Sequence, residues 1–201
     1  FLALASTALM AGCGGDPPAS DLAAAKGALD AARAAGAEKF AASDYSAAQG
    51  AYSGAEQAVN TEADKLFKDF KQAEQMIADA KAKADRAKAA AEAEKGRQRS
   101  AAEGAISAAA STVQEARASV DGAPAGKGTE SDIEQLRADL NGADADLNAA
   151  RSAVASENFD QAQSSAQSAQ SKATQVQSGV QSATQKYEEL VEKMRPWYDR
   201  I

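Results

Sequence analysis

The apolar residues of this chain recur in steps of three and four, and over long stretches they do little else. Phe159, Ala162, Ala166, Ala169, Ala173, Val176, Val180, Ala183, Tyr187, Leu190 and Met194 keep that alternation without a miss. Ile133, Leu136, Leu140, Ala143, Leu147, Ala150 and Val154 do the same. Steps of three and four place side chains on one narrow stripe of an α-helix, whereas a strand needs steps of two. Most stripe positions are alanine, the best helix former and too small to fill a wide core. The pattern therefore predicts an all-α chain of elongated antiparallel helical hairpins, a coiled-coil-like bundle with alanine seams and one long helix.

Turn chemistry divides the pattern. Ser20 suits the start of a helix over 21–36 with Leu22, Ala25, Leu29 and Ala32 inward, and Gly36 suits its end. Ser43 or Asp44 then opens a helix expected to run to Lys95, about 78 Å at 1.5 Å per residue. Its stripe holds Tyr45, Ala48, Tyr52, Ala55, Val59, Leu66, Ala73, Met76, Ala80 and Ala87, thickened by Phe67, Phe70 and Ile77. Gly96 and the Ser100-Ala101-Ala102-Glu103 capping box predict a kink or restart near 96–100. The seam resumes through Ala102, Ile106, Ala109, Val113, Ala116 and Val120. Asp121-Gly122-Ala123-Pro124-Ala125-Gly126-Lys127-Gly128-Thr129 is the clearest linker. Ser131-Asp132-Ile133-Glu134 is a second capping box, and the short turn at Ser156-Glu157-Asn158 makes helices 131–155 and 158–195 an antiparallel hairpin. The expected organisation is a helical hairpin with a long helix at 21–120, a linker at 121–130 and a second hairpin at 131–201. Leu29-Asp30-Ala31-Ala32-Arg33-Ala34-Ala35 before one turn and Leu147-Asn148-Ala149-Ala150-Arg151-Ser152-Ala153 before the other hint at internal duplication.

The one cysteine, Cys13, ends the run Leu9-Met10-Ala11-Gly12-Cys13, with the uncharged stretch Phe1 to Met10 ahead and Gly14-Gly15-Asp16-Pro17-Pro18-Ala19-Ser20 behind. This resembles the signal and lipobox of a bacterial lipoprotein. The resemblance implies a truncated, cleaved signal peptide at 1–12, lipidation of Cys13 and a flexible lead over 13–20. The apolar run is too short to span a bilayer, which takes about 20 residues. Two or three acyl chains anchor firmly where one is marginal. Gly14 stands where lipoproteins kept in the inner membrane often have an Asp, so the resemblance implies the outer membrane, facing the periplasm. The segment from Leu22 to about Ala91 also resembles a family of alanine-rich envelope lipoproteins of unknown function. The matching residues are Leu29-Asp30-Ala31-Ala32-Arg33-Ala34-Ala35-Gly36-Ala37 with Tyr45, Ala48, Tyr52 and Ala55. Some relatives place this hairpin ahead of an OmpA-like wall-binding domain, and no such domain is visible here.

Chemistry finds little footing. The chain has no histidine and a net charge of −7. The commonest general base and metal ligand are missing, and acidic balance disfavours nucleic acid. No cofactor, metal site or catalytic residue is expected, and the chain reads as a non-enzyme. Tyr45, Tyr52, Phe67 and Phe70 read either as core or as a ligand groove. The run Lys81 to Lys95 reads as a solvated face with i,i+4 pairs or as a charged contact. Glu188, Glu189 and Glu192 read as solvated carboxylates. The tail Arg195-Pro196-Trp197-Tyr198 holds the only tryptophan. Trp197 and Tyr198 either contact a partner or membrane, as such residues often do, or cap the hairpin. The expected role is a helical spacer, scaffold or assembly partner in the envelope, possible as a homo-oligomer. The alternative is a periplasmic adaptor or chaperone-like clamp, gripping clients with Trp197 and the arm 78–95.

Overall fold

The computed structural model describes residues 16–126 and 128–196. They form six helices: α1 (Ala19–Ala34), α2 (Ala37–Phe40), α3 (Ala42–Ala63), α4 (Lys71–Asp121), α5 (Glu130–Ala155) and α6 (Phe159–Met194). No strand occurs among the described residues. The all-α reading holds, and so does the single long helix, although that helix starts and ends later than the spacing implied. Contacts divide the chain into two units between Gly96 and Arg97. The α4 backbone stays helical through that point.

In the first unit, α1, α3 and the part of α4 before Gly96 form three layers around two contiguous clusters. Leu29 and Ala32 of α1 meet Tyr45 and Ala48 of α3 and Ala84, Ala87 and Ala91 of α4. Ala25, Ala55, Val59, Phe70, Ala73 and Ile77 form the other. As α1 residue numbers rise, their α3 neighbours fall, so α3 runs antiparallel to α1, and α4 antiparallel to α3. Small side chains let the backbones approach, and each buried methyl contributes about 0.8 kcal/mol. Such a core needs many alanines to hold it, and they are here: Ala32, Ala37, Ala48, Ala55, Ala73, Ala87 and Ala91 are all at 0% exposure.

The corner from α1 into α3 depends on Gly36. Its φ of 85° is left-handed, and a Cβ there would stand 3.1 Å from Phe40 Cδ2. The Ala35 N–H donates to the Ala31 carbonyl and the Gly36 N–H to that of Arg33, closing α1. The turn contains the short helix α2, which periodicity did not reveal. Neither Ser43 nor Asp44 caps α3: that helix begins at Ala42 without a side-chain cap.

In the second unit, α5 and α6 form the expected antiparallel hairpin. Lys186 reaches Asp132 at one end (2.7 Å) and Ser168 reaches Asp146 nearer the turn (2.6 Å). The part of α4 from Arg97 onward lies with them, antiparallel to α5: Arg117 pairs with Asp144 and Arg99 with Glu157. One cluster joins the three, with Val113 and Val120 from α4, Ile133, Leu140 and Leu147 from α5, and Val176 and Val180 from α6. The turn closes α5 by a pair of crossed bonds, Asn158 N–H to the Ala153 carbonyl and Glu157 N–H to that of Val154. This is the Schellman arrangement, with Glu157 left-handed at φ 57° where glycine is usual.

Three expectations are corrected. The helix read over 44–95 is two helices, since the chain leaves helical geometry between Ala63 and Lys71. An α1 of 16 residues spans only about 24 Å, so a partner hairpin must reverse after a comparable length. No break occurs at 96–100. Gly96 has open space around it and costs its helix only about 1 kcal/mol, so it marks a change of packing partners rather than a kink. The segment 121–130 is the corner between α4 and α5, inside the second unit rather than between two units. Glycine and proline signal a chain reversal, which a hairpin corner needs as much as a domain boundary does. Thr129, fully buried, holds that corner: its hydroxyl lies 2.8 Å from the Gly126 carbonyl and 3.2 Å from that of Pro124.

Candidate functional site

The most exposed apolar side chains among the described residues sit together in the α3–α4 connection. Leu66 is 98% and Phe67 92% exposed, yet three residues on Phe70 is 4% exposed, in the cluster with Ala25, Val59, Ala73 and Ile77. Helix α3 stops at Ala63, and the Asp69 carboxylate accepts the N–H of Lys71 at 3.1 Å, satisfying one donor that α4's first turn would otherwise leave free. With both ends fixed and Phe70 drawn inward, Leu66 and Phe67 are left at the tip. Lysines punctuate the segment at 65, 68 and 71. Lys65 pairs with Glu62 of α3.

The chain arrives at this same end. Pro18 is buried, α1 starts at Ala19, and Leu22 in its first turn packs against the Phe70 cluster. A shallow groove lined by Asp21, Ala24, Glu74, Ile77, Ala78 and Lys81 runs between the starts of α1 and α4. The exposed Leu-Phe pair and the origin of α1 thus occupy one end of the first unit. The stripe analysis placed Leu66 and Phe67 inside the seam, which is corrected here. The signal was present in Lys65-Leu66-Phe67-Lys68-Asp69-Phe70-Lys71: an apolar pair between lysines, with a capping aspartate two residues before α4.

Cys13, Trp197 and Tyr198 lie outside the described residues. Of the four aromatics read as core or as a groove, Tyr45 and Phe70 are buried and Tyr52 is half-buried between the two clusters, while Phe67 stands apart in solvent. They are core plus one exposed ring, and no groove joins them. The arm 78–95 carries i,i+4 ion pairs on its outer face: Asp79–Lys83 at 2.8 Å, Lys81–Asp85 at 2.9 Å and Lys88–Glu92 at 3.9 Å. Its inner face, Ala84, Ala87 and Ala91, packs within its own unit, and its outer face is open to solvent. Glu188 and Glu189 are exposed, and Glu192 pairs with Arg195 at 3.3 Å.

One polar cluster links helices within the second unit. Asp146 of α5 accepts from Lys172 at 2.8 Å and from the Ser168 hydroxyl at 2.6 Å, both on α6. Lys172 passes over Gly142, where a Cβ would lie 3.6 Å from its Nζ. The bond from Lys172, with that from Ser168, holds the Asp146 carboxyl below its usual range. A carboxylate held charged by a lysine serves as a clip between α5 and α6, and a shallow pocket lined by Ala138, Asp139, Gly142, Lys172 and Gln175 opens beside it. Among the described residues no group of His, Cys, Asp or Glu is arranged to hold a metal ion, and no helix is long and apolar enough to cross a membrane. No protein-family model, curated protein or solved structure matches the chain.

Proposed function

We propose that this chain is a non-catalytic lipoprotein of the bacterial cell envelope. Acylated Cys13 holds it to the inner leaflet of the outer membrane, and its helical units act as spacer, scaffold or assembly partner. The observation that carries the reading is the short step from lipobox to fold. Cys13 closes a lipobox-like run, and α1 begins at Ala19 with Pro18 already buried. An acyl group at position 13 would leave the first unit within a few residues of the lipid surface. The helical faces support the role as well. Their cores are alanine-rich seams, and the outer face of α4 in the first unit carries i,i+4 ion pairs suited to solvent.

The test is chemical. Mass spectrometry of the purified protein is expected to show Cys13 as an acylated amino terminus, and Cys13→Ser is expected to abolish acylation and detergent-phase partitioning. A bare thiol in the exported protein overturns the proposal. Crosslinking in cells followed by co-purification then tests the role: a few stoichiometric envelope proteins support a scaffold, and many unfolded clients support a clamp.

A further inference from the structure

We infer that the Leu66–Phe67 tip is a second membrane contact, which inserts into the lipid surface to which Cys13 is tethered. The inference rests on the anchor proposed above and adds a site to it. Three observations converge. Leu66 and Phe67 are nearly fully exposed at the tip of a short connection whose two ends are fixed by α3 and by the buried Phe70. Leu22 of α1 packs on the same cluster as Phe70, so the tip and the start of α1 share one end of the unit. Ala19 is six steps along the chain from Cys13, and a chain spans at most about 3.3–3.6 Å per residue, or roughly 20 Å. An acylated Cys13 therefore brings that end of the unit to the bilayer and leaves the opposite end, at Gly36 and Ser43, about one α1 length further away.

The chemistry fits a lipid interface. Leucine and phenylalanine contribute apolar burial, and flanking lysines can lay their methylenes along the acyl boundary with the ammonium at the headgroups. Lys65, Lys68 and Lys71 hold those flanking places. The same end also carries Asp16, Asp21, Glu62, Asp64, Asp69 and Glu74, so net attraction to anionic lipid is not the driving force. Apolar insertion is, and it should work on zwitterionic and anionic surfaces alike. A tether plus a shallow wedge also holds the unit at a set tilt on the membrane, which acyl chains on a Gly-Pro lead would not do alone.

The test uses the full acylated protein, whose Cys13 is blocked by lipid, so that an introduced cysteine is the one reactive thiol. An environment-sensitive fluorophore is attached at Phe67→Cys or, as the distal control, at Ser43→Cys. Each protein is placed on phosphatidylethanolamine/phosphatidylglycerol vesicles and on phosphatidylcholine vesicles. The expected result is a blue shift at 67 on both, with several-fold stronger quenching by brominated acyl chains than at 43. An acylated, vesicle-bound protein whose probe at 67 stays aqueous overturns the inference and leaves the anchor standing. A protein with Cys13 unmodified overturns both. A shift confined to phosphatidylglycerol vesicles assigns the contact to the lysines and overturns insertion. A shift that grows with protein concentration in detergent-free buffer without vesicles makes the tip a self-association surface and overturns it too.

Discussion

Leu136 of α5 lies across Gly179 of α6 so closely that a Cβ at position 179 would clash with Leu136 Cδ2. Alanine in a helix interior is worth about 1 kcal/mol over glycine where space is open. It is open at Gly104, which has nothing within 4 Å of a built Cβ. Gly104→Ala is therefore expected to stabilise by about 0.5–1 kcal/mol. Gly179→Ala is expected to gain nothing or to lose up to about 1 kcal/mol, because Leu136 must leave its rotamer. Paired urea melts distinguish the two, and an equal gain in both would show that Leu136 moves aside freely.

Asp146 gives the second unit an acid-sensitive clip. Its folded pKa lies below the unfolded value near 3.8, chiefly through Lys172 and then Ser168. Its contribution is thus complete above the unfolded value and is lost as pH falls through the lower folded one. The pair is partly exposed, so the contribution is about 1 kcal/mol or less. Asp146→Asn is expected to destabilise at pH 7 and to approach the parent protein as the pH drops below 3.8. A stability gap that stays constant down to pH 2 contradicts this.

Glu157 occupies a left-handed position, and such a backbone costs a non-glycine residue roughly 1 kcal/mol. Its ion pair with Arg99, at 4.0 Å and exposed, returns little. Glu157→Gly is expected to raise stability by up to about 1 kcal/mol. A marked loss in thermal melts would show that the Arg99 contact outweighs the strain.

Within one connection, neighbouring apolar residues should differ sharply. Phe70→Ala removes a ring from the cluster of Ala25, Val59 and Ile77 and is expected to cost about 3–4 kcal/mol. Leu66→Ser with Phe67→Ser is expected to stay within about 0.5 kcal/mol of the parent protein. Chemical denaturation of the two variants checks this, and a large cost for the double variant would place Leu66 or Phe67 in a packed interior.

Sequence spacing located α5 and α6 well, because most seam positions there meet a partner. Ile133, Leu140, Ala143, Leu147 and Ala150 are buried, as are Phe159 through Ala183 on their stripe. Leu190 and Met194 keep the spacing but lose burial, since α6 outruns the start of α5. Spacing failed at 64–70 because Val59, Leu66 and Ala73 are each seven apart, so the heptad continues in phase through residues that are no longer helical. No glycine or proline marks that turn. The stop comes from closure of the three-helix layer on a short α1, a tertiary effect invisible to local propensity. Gly96 misled in the opposite sense, because a helix with support on either side tolerates one glycine. The exposed tip was concealed by the same in-phase heptad, and the residues singled out at the two ends, Cys13, Trp197 and Tyr198, lie outside the described residues.

An interior built from methyl groups also governs how the protein responds to temperature. Heat capacity of unfolding grows with the apolar area that unfolding hydrates. Ala32, Ala48, Ala87, Ala150, Ala162 and Ala173 at 0% exposure each conceal little of it. The free energy of unfolding should therefore trace a shallow dome, holding a modest but nearly even margin from cold to warm where a leucine-filled bundle of equal length would peak and fall.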